Sequence, residues 1–365
     1  MGEKNMTESE IRAIKTRQMD KLAEWREHLY REPELRELFL ELTLRCNERC
    51  FHCGSRCESD AEVGMPAEKY LEVLSDVRDH FGTSKTRISI TGGEPLMRRD
   101  FFEILGAAHE MGFAWGMTSN GTLITPAVAR KLRETGMRTI SISIDGLPET
   151  HDRLRGLPGG WKLAMAGIEN LIAEGGFRHI QVTTVFNHGN IGELDALYEM
   201  FRDMDIDSWR VIGLEPIGRA LMHPDLMLTA EDQKRLFDFI RSQRNEGMPV
   251  TYGCSHYLGL EYEREVRRWY FLCNAGRYVA SVMANGDVGA CLDIERRPET
   301  IQGNVYEDCF TDIWRNRFEI FRQPISRLSA TCRDCEHEKY CAGGAAHSWD
   351  FDKNEQRICM KGILF

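Results

Sequence analysis

The stretch CNERCFHCGSRC (residues 46–57) sets four thiols in one short segment, at Cys46, Cys50, Cys53 and Cys57. Cysteine thiolates bind soft metals, and several together hold either a tetrahedral zinc ion or an iron–sulfur cluster. Structural zinc usually draws two pairs of ligands from either side of a longer loop. Here Cys46, Cys50 and Cys53 share a single loop, which suits a four-iron cluster with one iron left open to a substrate or cofactor. Cys57 reads as a spare thiol packed as a small hydrophobe, with a redox or substrate-side role as the alternative. The chain has 12 cysteines; none falls between residues 58 and 253, and the other eight lie from Cys254 to Cys359. Two separate sites are implied.

These thiols need elements to hold them. Residues 7–31 carry Ile11, Ile14, Met19, Leu22, Trp25 and Leu29 at helical spacing, which predicts an amphipathic helix ending near Pro33. A short apolar strand, LFLELTL (38–44), then runs straight into the cysteines. After them, β-like runs at 87–92, 113–120, 138–146, 179–187 and 208–216 alternate with helical stretches near 67–80, 101–111, 126–135, 161–174 and 192–204. Such β/α repeats predict an α/β fold with a parallel sheet, as a partial barrel or an open doubly wound sheet. Polar, Gly-rich tips follow the strands: TGGEP (91–95), TSNGT (118–122), SIDGLPE (143–149), FNHGN (186–190) and EPIGRA (215–220). In β/α barrels the reactive face is the C-terminal end of the strands, and the cysteine run occupies that position after the first strand. A further helix starts at a Thr229 cap. Beyond about residue 250 the rhythm gives way to a loop-rich segment with a hairpin turning at Asn285–Gly286.

In this setting Cys46-x3-Cys50-x2-Cys53 resembles the motif of the radical S-adenosylmethionine enzymes. TGGEP at the second strand tip, SIDG with HDRLRG (151–156) at the fourth and EPIGRA at the sixth match that family as well. The resemblance implies a partial (β/α)6 TIM-like barrel. It also implies a 4Fe–4S cluster held by Cys46, Cys50 and Cys53, whose open iron chelates S-adenosylmethionine. One-electron reduction then gives a 5′-deoxyadenosyl radical that takes hydrogen from substrate, the cofactor carrying the hard chemistry and the protein its geometry. Glu94, with the Gly92–Gly93 backbone, is expected to receive the methionine ammonium. Ser143 is expected at the methionine or ribose end, Thr183 near the ribose, and the backbone at His52 against the adenine. Asn120 is either a cofactor contact or an Asn-Gly turn residue, and Asp145 is expected to shape its own turn.

The C-terminal cysteines, Cys273, Gly286-x4-Cys291, Cys332-x2-Cys335-x5-Cys341 and Cys359, resemble the SPASM extension of radical S-adenosylmethionine maturases. That resemblance implies two auxiliary clusters, three 4Fe–4S clusters in all. Cys332, Cys335, Cys341 and Cys359 would ligate the outer one, with zinc binding as the alternative. The family pattern has a cysteine four residues after Cys341, where this chain has Ala345. The inner cluster is therefore expected to use Cys254, Cys273 and Cys291, with Cys309 as a further candidate, or to keep an open iron. Asp293, two residues past Cys291, is a candidate acid or base beside it, or else a solvated hairpin carboxylate. The implied organisation is an N-terminal helical extension (1–37), the barrel (38–228), a bridging helix and linker (229–253) and the SPASM domain (254–365).

The chain of 365 residues has 47 Lys+Arg against 57 Asp+Glu, a net charge of −10, and no basic block, so nucleic acid is not an expected partner. No apolar run is long enough to span a membrane, and the start lacks an apolar signal region. Together these predict a cytoplasmic, reducing setting, in which so many cysteines read as metal or redox ligands rather than disulfides. The resemblance implies hydrogen abstraction from a peptide or protein residue, giving a crosslink or an oxidised residue, with a flavodoxin- or ferredoxin-type reductant. The stretch before the first strand is too short for a separate leader-binding domain, so leader recognition would use a partner protein or the barrel surface. The N-terminal helix is expected to cap the barrel. A haem-type cofactor-tailoring enzyme of the same architecture is the alternative, and a non-enzymatic iron–sulfur electron carrier is the alternative of another class.

Overall fold

The computed structural model describes residues 7–61, 64–244, 247–253 and 255–365. Six parallel strands follow one another across the sheet: β1 (Glu37–Glu41), β2 (Arg87–Thr91), β3 (Trp115–Ser119), β4 (Met137–Ser143), β5 (His179–Phe186) and β6 (Ser208–Gly213). Consecutive order distinguishes a barrel-type sheet from a doubly wound one, whose strand order reverses at a switch point. Right-handed crossovers between sequential neighbours put the connecting helices on one face. The connecting helices are α2 (Ala67–Phe81), α3 (Phe101–Glu110), α4 (Pro126–Glu134), α5 (Pro148–Arg155), α6 (Gly160–Glu174) and α7 (Leu194–Arg202), preceded by α1 (Glu8–Arg31). One face of the sheet is apolar, with Leu38, Leu40, Ile88, Ile90, Ile140, Ile142, Trp115 and Trp209 almost wholly buried, while the alternate positions, among them Ser89, Ser141 and Thr183, carry polar side chains that bond to one another across strands.

The barrel does not end where the β/α rhythm does. After α8 (Ala230–Gln243), which starts at the Thr229 capping box, β7 (Val250–Tyr252) joins β6 in parallel. On the other edge β8 (Val279–Val282) pairs in parallel with β1. The hairpin predicted at Asn285–Gly286 then carries β9 (Asp287–Gly289), and β10 (Gly303–Asn304) follows. Among the described residues these ten strands form one open sheet, with β10 and β7 at its edges. The C-terminal segment is thus joined to the barrel by backbone hydrogen bonds between β8 and β1. No described helix is long and apolar enough to cross a membrane.

The expectation that α1 caps the barrel is not met. Its Met19 enters a small apolar cluster with Tyr257, Tyr270, Phe271 and Ala345 of the C-terminal segment. Around it Lys15 pairs with Glu265 at 2.8 Å, Asp20 accepts from the Tyr340 hydroxyl at 3.0 Å, and Arg26 donates to the carbonyls of Lys339 and Tyr340. Amphipathic periodicity defines a buried stripe but not its partner; here the partner is the cysteine-rich module. Met19→Ala, at a site 1% exposed, is expected to cost about 2–5 kcal/mol. Hydrogen exchange should then speed up along Glu8–Arg31 and around Phe271, with strands β2 to β5 unchanged.

Candidate active site

The loop carrying the first three cysteines is pinched at its neck. Cys46 N–H donates to the Glu58 carbonyl and Glu58 N–H to the Leu44 carbonyl, so residues 46–57 form a compact Ω-shaped loop at the end of β1. Three strand tips hold it. From β2, Gly93 N–H donates to the Thr43 carbonyl and Glu94 N–H to the Arg45 carbonyl, both at 2.8 Å. A Cβ on Gly93 would lie 2.0 Å from the Arg45 oxygen, and one on Gly92 2.2 Å from the Thr43 oxygen. The paired glycines are therefore required by the approach of two backbones, in addition to any approach to a cofactor. From β6, Arg219 N–H donates to the Cys53 carbonyl, while its guanidinium donates to the carbonyls of Cys50 and Cys57.

From β4, Asp145 does more than shape its own turn. Its fully buried carboxylate accepts from Arg155 Nε at 2.8 Å, from the Val185 N–H at 2.8 Å and pairs with His52 Nε2 at 3.1 Å. Arg155 also donates to Glu48 at 2.6 Å. Burial, the largest influence, works against the Asp145 carboxylate; Arg155 and His52 overcome it and hold the group well below the usual carboxylate range. Glu48, Arg155 and Arg219 are site residues that sequence reasoning missed. HDRLRG and EPIGRA marked two of them as motif positions without saying what they touch.

The thiols suit a metal–sulfur group. Burial pushes Cys46 up to about 12 and raises Cys50 well above its ordinary value, so each keeps its proton until a metal displaces it. Cys53 falls to about 5, chiefly through a hydrogen bond from the Cys57 thiol. Cys57 itself is 2% exposed. Around the loop, Glu48 Oε1, His52 Nδ1 and Arg219 Nη2 are buried without a partner. Orphaned polar atoms of this kind mark space for an absent group, and the three-thiol donor set fits the cluster that the motif implies.

The expected cofactor contacts sort into two kinds. Glu94 is fully buried and receives the Ser119 hydroxyl, the Asn120 N–H and the Leu96 N–H. Burial pushes it up to about 7, which leaves a carboxylate short of a cation, as an ammonium acceptor should be. Ser143 is half-buried at the tip of β4. Two others are already occupied. Asn120 closes its own turn by accepting from Thr122 and donates to Asn47 Oδ1 at 2.8 Å, so its side chain serves the turn and the loop. Thr183 Oγ1 lies 2.6 Å from Ser141 Oγ and accepts from Arg210.

In the C-terminal segment, Cys332, Cys335, Cys341 and Cys359 lie close enough that each ionised neighbour raises the pKa of Cys341. Among the described residues no three metal-binding side chains close on a single ion. Cys273 and Cys341 line one cavity with Arg26 and Arg277. Ala345, where the motif would have a cysteine, is fully buried against Met19, Tyr257 and Phe271. Cys291 packs half-buried against the main core. Cys254 lies outside the described residues. Cys309 is exposed; its thiol donates to Asp312 at 3.1 Å, and its charged neighbours are Asp312 and Asp76 rather than cysteines. Asp293 is exposed and reaches the first loop: a Cβ on Gly54 would lie 3.8 Å from its Oδ1. Beside it the sixth strand tip is bolted to the C-terminal segment, with Glu215 paired to His256 Nε2 at 2.8 Å and accepting from Ser348 Oγ.

Gly93→Ala is expected to displace the loop and cut iron retained per chain at least severalfold, as read by iron and sulfide assay with the C-terminal cysteines intact. Glu215 yields a pH test. Burial, the largest influence, opposes its carboxylate, yet His256 and Ser348 bring it down from 4.5 to about 2. A depressed carboxyl contributes stability that is fully present above its unfolded value and lost as pH falls through about 2. The urea midpoints of wild type and Glu215→Gln should differ at pH 7 and converge as pH is lowered from about 4.5 towards 2.

Comparison with known proteins gives this arrangement a family. Residues 40–201 match the radical SAM superfamily model, and residues 273–336 match the iron–sulfur cluster-binding SPASM domain. An AdoMet-dependent heme synthase of Methanosarcina barkeri is 30% identical over 331 residues, 85% of this chain and 90% of that protein. The mycofactocin maturase MftC of Mycobacterium tuberculosis is 32% identical over 313 residues, 83% of this chain and 76% of that protein. Streptococcus suis SuiB bound to S-adenosylmethionine shares the fold, with a TM-score of 0.67 at 20% identity, over 86% of this chain and 74% of that one. Three loop thiols, the glycine-mediated seam at the β2 tip and the cysteine-rich segment spliced to β1 thus belong to a radical S-adenosylmethionine enzyme with a C-terminal SPASM domain.

Proposed function

We propose that the chain abstracts hydrogen from a residue of a peptide or protein and leaves that residue oxidised or crosslinked. When bound, S-adenosylmethionine and the iron–sulfur clusters supply the hydrogen-abstracting 5′-deoxyadenosyl radical and carry the electrons, with a small reductant such as flavodoxin or ferredoxin as their source. The chain's own residues position, exclude water and move a proton. The observation that carries the reading is Asp293: it follows Cys291 closely, yet its carboxylate reaches Gly54 of the first cysteine loop beside Ile217. A substrate held at this mouth lies between the two cysteine sites, with an exposed carboxylate at hand for the proton that leaves on oxidation. Glu94, short of a cation, receives the ammonium of the cofactor. Leader recognition, where the substrate has a leader, falls to a separate protein or to the barrel surface.

The relatives named as heme synthases favour a second reading, in which the substrate is an iron porphyrin and the same mouth tailors it. Anaerobic incubation of reconstituted protein with S-adenosylmethionine, dithionite and either candidate peptides or an iron porphyrin, followed by mass spectrometry, separates the two. Loss of two hydrogens from a peptide supports the first, and a mass change on the porphyrin alone replaces it with the second. An unchanged peptide mass apart from one deuterium taken from deuterated solvent points instead to epimerisation. Failure to form 5′-deoxyadenosine sinks both enzyme readings. Asp293→Asn should lower product about 100-fold while 5′-deoxyadenosine continues to form, as loss of a proton acceptor typically does.

A further inference from the structure

The last turn of α5 meets the cysteine loop around Cys50. The carbonyls of Leu154 and Arg155 accept from the N–H groups of Phe51 and Arg49, both at 2.9 Å, so the residues on either side of Cys50 are pinned to one helix end. The Arg155 side chain, 8% exposed, forks between two carboxylates that are each 0% exposed: Glu48 at 2.6 Å and Asp145 at 2.8 Å. Glu48 Oε2, the oxygen that takes Arg155, is also the acceptor for the Cys50 thiol at 3.6 Å. Iron binding removes that thiol proton. What remains is a carboxylate facing an iron-bound thiolate in a buried setting, a repulsion that the metal offsets in part and a nearby protein cation offsets further. Arg155 is the cation in place, and its planar guanidinium sends Nη1 to Glu48 and Nε to Asp145 in a fixed geometry that a lysine ammonium does not reproduce.

We propose that Glu48 and Arg155 are positioning residues for the first cluster: the pair fixes the Cys50 corner of the loop and sets the charge felt at that thiolate, and so tunes the cluster's reduction potential. Iron–sulfur potentials respond to local net charge and to hydrogen bonds at the sulfurs. Glu48→Gln replaces the repelling carboxylate with an amide able to donate to sulfur, and leaves Arg155 paired with Asp145. Arg155→Lys keeps the charge but loses the two-sided fork. The proposal depends on the cluster alone and is independent of which substrate the enzyme takes.

The test is an EPR-monitored redox titration of the full-length, anaerobically reconstituted chain, with iron and sulfide counted per chain. The first cluster's signal is identified by its change on adding S-adenosylmethionine. Glu48→Gln should retain full iron and shift the midpoint of that signal to more positive potential; Arg155→Lys should shift it to more negative potential. A merely structural role would lower iron content or thermal stability and leave the midpoint of the remaining cluster at the wild-type value, and that result overturns the proposal. If Arg155→Lys fails to hold iron, Glu48→Gln decides alone, and its unchanged midpoint at full iron loading is equally fatal. A chain in which no signal responds to S-adenosylmethionine would count against cofactor binding at this loop, a different failure from an unmoved midpoint.

Discussion

A loop with no regular secondary structure, half-buried at the mouth of a barrel, must find hydrogen-bond partners for the peptide groups it hides from water. Residues 43–57 meet that requirement in large part through neighbours from across the sheet. The β2 tip donates to the carbonyls of Thr43 and Arg45, Arg219 reaches three further carbonyls, and the end of α5 accepts from Arg49 and Phe51. Each of these partners sits in a stretch that looks like a separate motif in the sequence. Their common property is that they satisfy one loop. The thiols are held still because the polypeptide around them has its hydrogen-bonding groups committed.

This explains which parts were legible before the structure. Local signals were clear: the cysteine spacing, the β/α alternation and the hairpin at Asn285–Gly286 each depend on residues close in the chain, and each lies where the pattern puts it. Gly92 and Gly93 were legible as a close approach, although sequence could not tell that the approaching atoms include the carbonyls of Thr43 and Arg45. Long-range electrostatic partners were not legible. Glu48 and Arg155 are separated by more than one hundred positions, and nothing in a single sequence couples a charged residue on a loop to one at a distant helix end. Asn120 shows the converse: an Asn-Gly pair carries turn chemistry wherever it occurs, and here its carbonyl oxygen serves the turn while its amide donates to Asn47.

The C-terminal module was partly legible for the same reason. Its cysteines announce a second site, but its mode of attachment is topological. Strand β8 is four residues long, and its partner β1 precedes it by over two hundred positions. Helix α1 likewise shows a buried stripe while giving no hint that Met19 meets Phe271 and Ala345. The first and last parts of the chain therefore close on one another outside the barrel, and both sides of Cys273 come under their control. Glu215, with His256 and Ser348, makes the matching connection at the sixth strand tip.

Strand β1 bonds to β2 on one side and to β8 on the other, residue for residue from Glu37 to Leu40. The two cysteine-bearing regions therefore share β1 as a common spine. Their spacing is set like the marks on a ruler, by strand rise and sheet pitch. Whatever enters between the two regions meets a gap of that width, and its shape varies only through the tips and side chains that line it.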